Sequence, residues 1–198
     1  MNTRRGARLP KAGPRHTHFI GIELPSALAE SVEDCRSWME GSYGCRSGHG
    51  TPPHITLLPP FALPPGYGDG DVADCCAAAV RQAAEKGLLP LAVRVEGFGS
   101  FSERTLFAHV VDGEGWQQLY AEFVRVFQEG LPGALKKPGR RFYPHISIAN
   151  RDIPAGAMEE ALRHFAQLGL EDGFEADSVT VFTRTRDGGW TASGQQGL

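Results

Sequence analysis

The sequence predicts an α+β domain built on antiparallel sheet. Strand-like and helix-like runs of mixed length are interleaved, several neighbouring strands are separated only by short glycine-rich segments, and clean strand–helix–strand alternation is missing. The chain has 198 residues, enough for one sizeable core and short for two independent ones. No linker or low-complexity tract divides it. A single domain is therefore expected over residues 17–198, preceded by a flexible basic tail at 1–16 that carries Arg4, Arg5, Arg8, Lys11 and Arg15.

The elements follow in order. His18 to Leu24 reads as a buried strand, and a helix starts after Pro25 with Ser26 as its N-cap and runs to about Met39. A Gly/Ser-rich loop, Gly41 to Pro53, leads into a strand from His54 to Leu58. Pro59 and Pro60 are expected to stop that strand, since neither can donate to a ladder. After a loop from Phe61 to Gly70 comes an alanine-rich helix, Asp71 to Lys86. Leu91–Val95 and Thr105–Val111 are strands joined by a turn at Gly97-Phe98-Gly99-Ser100. Trp116, Leu119, Tyr120, Phe123 and Phe127 recur at nearly 3.6 residues, the mark of an amphipathic helix over Trp116–Gln128. A basic loop from Gly130 to Arg141 precedes a strand at Tyr143–Ala149 and a helix from about Ala155 to Leu168. Ser178–Thr183 and Trp190–Gly194 close the chain as a hairpin around Asp187-Gly188-Gly189.

Composition narrows the function. Apolar residues are 41% and charged residues 22%, with a formal charge of −3. That balance excludes a protein gripping long nucleic acid by wholesale phosphate neutralisation and leaves room for a small phosphorylated ligand. No run reaches the length of a membrane span, and no apolar stretch precedes Phe19 as a secretory signal would. Cys35, Cys45, Cys75 and Cys76 have no zinc-ligand spacing and read as reduced, packed thiols of a cytoplasmic protein.

One short pattern occurs twice. Pro53-His54-Ile55-Thr56-Leu57 and Pro144-His145-Ile146-Ser147-Ile148 both read Pro-His-Ile-hydroxyl-aliphatic, half a chain apart. Residues i and i+2 of a strand share a face, so His54 projects with Thr56 and His145 with Ser147, while the aliphatic positions anchor the other face. Two imidazoles and two hydroxyls converging on one point suit a phosphodiester. An imidazole with pKa near about 6.5 can serve neutral as base or protonated as acid. The hydroxyls can donate to the non-bridging phosphate oxygens as charge grows on them.

These paired motifs resemble the two-histidine phosphoesterase superfamily, which includes proteins called 2′-5′ RNA ligases and cyclic phosphodiesterases. The likeness runs from about His18 to the C-terminus and includes Val95–Phe101, Arg141–His145 and the closing Gly189-Trp190-Thr191. The resemblance implies a bilobal fold, with two pseudo-symmetric antiparallel sheets around a central groove and helices outside. It also implies metal-independent, cofactor-free chemistry, with His54, Thr56, His145 and Ser147 as the four active residues. Ser147 stands where threonine is common and keeps the hydroxyl.

Other candidates are weaker. Tyr143 shares the face of His145 and could stack on a base. Arg104, just before a strand, and Arg141, in the basic loop with Lys136, Lys137 and Arg140, are the expected phosphate contacts. His109 lies on a strand face with Thr105, Phe107 and Val111, where it lines the groove or sits in the core or at an edge. The expected function is hydrolysis of a cyclic or 2′-5′ phosphodiester by a monomer. The alternatives are a non-catalytic nucleotide or RNA-end binding module and a metal-dependent hydrolase.

Overall fold

A computed structural model describes residues 16–137 and 139–198. Its elements are β1 (His18–Glu23), α1 (Ser26–Tyr43), β2 (His54–Phe61), α2 (Asp69–Glu85), β3 (Leu91–Phe101), β4 (Thr105–Val110), α3 (Glu114–Gly130), β5 (His145–Asn150), α4 (Ala157–Ala166), β6 (Glu171–Ala176), β7 (Ser178–Arg184) and β8 (Trp190–Gly197). The expected tail lies outside the described residues except for His16.

All strand pairs are antiparallel, in the order β6-β3-β4-β5-β2-β1-β7-β8. Two four-stranded halves meet at the β5–β2 seam, where the ladder is one pair long: Ile55 opposite Ile146. Those isoleucines occupy the same place in the two copies of the repeated motif, so a pseudo-two-fold axis passes between them. Helices α1 and α4 pack on β5 and β3, whereas α2 and α3 pack on each other and on β2, β7 and β8. The core between sheet and helices is built from alternate strand residues such as Ile20, Ile22, Ile55, Leu57, Ile146 and Ile148. Their neighbours face the other way, toward the groove.

Several boundaries differ from the sequence expectation, each for a local reason. Pro59 and Pro60 do not end β2. They sit in a bulge, where the register shifts between His18↔Phe61 and Ile20↔Leu58, so no ladder hydrogen bond is required of them. Gly97–Ser100 is not a turn either. Gly97, at φ +67°, forms a bulge in β3, and the chain reverses further on, around Ser102–Arg104. Ser26 makes no capping bond. Pro25 is the N-cap, and α1 continues past Met39 until Gly44, at φ +71°, closes it. Strand β6 is absent from the sequence expectation because Glu171–Ala176 is acidic and mostly exposed, as an edge strand paired only with β3 can be.

Candidate active site

The groove face is assembled around the seam. Because Ile55 and Ile146 pair antiparallel with their side chains in the core, His54, Thr56, His145 and Ser147 all lie on the opposite face, within one residue of the pseudo-two-fold axis. All four are partly buried. The sequence-predicted quartet is thus brought together.

Each imidazole is oriented by the same local bond. His54 Nδ1 lies 2.7 Å from the Pro52 carbonyl, and His145 Nδ1 lies 2.8 Å from the Tyr143 carbonyl. A carbonyl only accepts, so Nδ1 carries the proton in both rings and Nε2 is the nitrogen that gains or loses one. Prolines at 53 and 144, between each carbonyl and its ring, hold the backbone extended. On the first side Thr56 Oγ1 lies 3.1 Å from His54 Nε2 and donates to it.

A pair of phenylalanines flanks each ring. Phe19 of β1 and Phe182 of β7 stand 4.7 and 5.2 Å from His54 and stack on each other at 4.4 Å. Phe101 of β3 and Phe107 of β4 stand 4.9 and 5.4 Å from His145 and pack at 4.4 Å. The strands that supply them exchange under the pseudo-two-fold. Gly21, opposite Thr56 in the ladder, makes room for this packing: a Cβ there would lie 3.3 Å from both the His54 ring and Phe182.

Burial lowers both histidine pKa values, and the Nδ1–carbonyl bonds only partly offset it. His54 is pushed down to about 4, with Arg36 and His145 adding electrostatic repulsion. Arg140 adds repulsion at His145. Both rings therefore favour the neutral form more than a free imidazole does, and a phosphate anion beside them would oppose that shift.

A cavity of about 610 Å³ opens beside the second motif, and its lining includes Thr56, Phe101, Tyr143 and His145 together with Lys136, Lys137, Arg140 and Arg141. Tyr143 is 40% exposed and meets Phe101 edge-on at 5.3 Å. Arg141 is on the cavity wall but is paired with Asp112 at 2.7 Å. Arg104 is exposed in the β3–β4 turn and is not among the residues that line the cavity. His109 lies opposite His145 in the β4–β5 register, with its ring 6.0 Å from that of Tyr143. His16 also reaches the cavity.

Sequence reasoning missed the phenylalanine pairs and Arg36. The signal for Arg36 was present: it interrupts the apolar stripe Leu28, Val32, Cys35 and Met39 of α1, and a charge on a buried stripe asks for a reason. The four cysteines are buried and unpaired. Burial pushes the Cys35 and Cys76 thiols up to about 11 and 12, which disqualifies them as nucleophiles at neutral pH. Among the described residues no three His, Cys, Asp or Glu side chains form a metal-ligating group, and no helix is long and apolar enough to cross a membrane.

A two-lobed antiparallel sheet with a His-x-Thr/Ser motif on each side of its seam defines a two-histidine phosphoesterase fold. The chain belongs to the 2′-5′ RNA ligase superfamily, whose family model matches residues 24–188. Among solved structures it is similar to TT0787 of Thermus thermophilus, with TM-score 0.62 at 20% identity over 92% of this chain and 97% of that one. It is similar to E. coli LigT complexed with 3′-AMP, with TM-score 0.60 at 15% identity over 92% and 98%. The MHV ns2 PDE domain matches with TM-score 0.53 at 13% identity over 86% and 100%. These likenesses are of fold. No curated protein sequence matches it.

Proposed function

We propose that this phosphoesterase-family protein hydrolyses a cyclic or 2′-5′ phosphodiester at an RNA end, in a short oligonucleotide or in a nucleotide derivative, using His54 and His145 as the acid–base pair and no metal. The observation that carries the reading is the matched pair of Nδ1–carbonyl bonds, which turns both Nε2 atoms to one face of a seam one residue pair wide, that of His54 meeting the Thr56 hydroxyl there. One neutral imidazole takes the proton of the attacking water. The other, protonated once the phosphate anion raises its pKa, gives a proton to the departing ribose oxygen. Ser147 donates to a non-bridging oxygen, and Thr56 does so once its hydroxyl turns from His54 Nε2 to the phosphate, which helps most as the charge there grows.

Tyr143 and Phe101 offer the exposed aromatic surface a base would need, and Lys136, Lys137 and Arg140 supply positive charge along the cavity. Arg141 serves the substrate only by sharing its charge with Asp112, and Arg104 only at long range. That E. coli LigT takes 3′-AMP, ATP and phosphate supports a nucleotide-like ligand.

The test is turnover of 2′,3′-cyclic nucleotides and 2′-5′ dinucleotides by wild type, His54→Ala and His145→Ala, with and without EDTA. Each substitution is expected to lower kcat by about 10²- to 10⁴-fold, with wild-type activity indifferent to EDTA. Retained turnover in either variant refutes the pairing, binding without turnover favours a non-catalytic module, and loss in EDTA restored by one metal identifies a metal-dependent hydrolase. The product isomer assigns the roles: His54 as acid and His145 as base would yield the 2′-phosphate, and the reverse the 3′-phosphate.

A further inference from the structure

The β2–β5 ladder contains one residue pair, yet the two histidines must stand at a fixed separation to share one phosphorus atom. Prolines 52 and 53 have no N–H with which to extend the ladder on the β2 side. Something else must tie the strands together. The guanidinium of Arg36 occupies that place. It is 3% exposed, reaches the seam from α1, and donates from Nε and Nη2 to the Ser147 carbonyl at 3.4 and 3.1 Å. From Nη1 it donates to the Thr51 carbonyl at 2.8 Å, just ahead of the first motif, and to Glu33 Oε1 at 2.8 Å. One rigid fork thus bonds the backbone of the second motif and that of the segment leading into the first, and Glu33, on the same helix, balances its charge.

We infer that Arg36 is a positioning residue of the proposed phosphodiesterase: by bracketing the Thr51 and Ser147 carbonyls it sets the spacing of the two half-sites. The inference rests on the reading above. Around His54, the charged or titratable groups that bear on it are Arg36 from α1 and His145 from β5, while Phe19 from β1 and Phe182 from β7 cover it with hydrocarbon. A positive charge beside an imidazole disfavours its protonation, so removing the charge raises the His54 pKa. Lysine keeps the charge but is a point donor on a flexible stem, without the planar fork needed to span two carbonyls.

The experiment uses the full chain as Arg36→Lys and Arg36→Met, with steady-state turnover of a 2′,3′-cyclic nucleotide and NMR titration of the His54 ring. Both variants are expected to lose about 10- to 100-fold in kcat with KM changed less than about 3-fold, the signature of misplaced groups. Only Arg36→Met is expected to raise the His54 pKa. A merely structural role would give neither this split nor its dependence on charge. Should Arg36→Met fail to fold, Arg36→Lys decides alone, lowered kcat with an unmoved His54 titration supporting the inference and wild-type kcat overturning it. An unchanged His54 titration in folded Arg36→Met also overturns it. If the wild type turns over nothing, the phosphodiesterase reading falls by itself, and the His54 titration still judges Arg36.

Discussion

The two half-sites hold their histidines by the same bond and surround them differently. At the first, Phe19 and Phe182 are both buried, Trp190 closes against Phe19 at 4.9 Å, and Thr56 occupies Nε2 of His54. At the second, Phe101 is 37% exposed, Tyr143 stands open beside it, and a basic loop lines the same cavity as the ring. Pseudo-symmetry has preserved what orients the imidazole and varied what decides who meets solvent. In the proposed reaction the sealed side fixes geometry and protonation state, and the open side receives the non-reacting part of the substrate.

That contrast breaks most visibly in the flanking rings. Phe182→Ala should destabilise the fold by about 3–5 kcal/mol, as for a fully buried ring, whereas Phe101→Ala should cost about 1 kcal/mol and act mainly on KM. Urea unfolding and steady-state kinetics of both variants measure the difference. Equal destabilisation would erase the distinction between sealed and open sides.

The hydroxyls sharpen it next. Thr56→Val should lower kcat roughly 10- to 100-fold, and Ser147→Ala less, because Thr56 also bonds its own ring. Paired kcat measurements on the same cyclic nucleotide test the order, and a larger loss at Ser147 would reverse it.

Acid also reports on the sealed side. The folded pKa of His54, about 4, lies below its unfolded value near 6.5. The preference for the neutral ring therefore stabilises the fold fully above about pH 6.5 and is lost as pH falls toward 4. Wild type should lose about 1 to 2 kcal/mol from this group between pH 7 and pH 5, and His54→Ala should lose that much less over the same range. Urea midpoints at the two pH values measure it, and parallel slopes would contradict it. The smallest effect lies at the open side: Arg140→Ala should raise KM about 3-fold at low salt and little at high salt. A KM effect that persists at high salt would remove the steering role.

What was legible in the sequence was whatever a strand or helix encodes locally. His54 and Thr56 declared themselves by i, i+2 spacing and by the second copy at His145 and Ser147, and α3 by its apolar period. What was hidden depends on register between distant strands. Phe19 and Phe182 are neighbours only because β1 pairs with β7, more than 150 residues away in sequence. Pro59-Pro60 and Gly97 carried their ordinary meanings, but a bulge and a turn use the same residues for opposite ends. Strand β6 had no apolar alternation to show, because an edge position asked for none.

In the proposed reaction His54 and His145 present their Nε2 atoms to one phosphate. The most direct measurement is ¹⁵N NMR of both rings during titration with inorganic phosphate near neutral pH. The expected result is that Nδ1 stays protonated in both while both Nε2 resonances move along one binding curve. Two different curves, or movement of one ring alone, would contradict it.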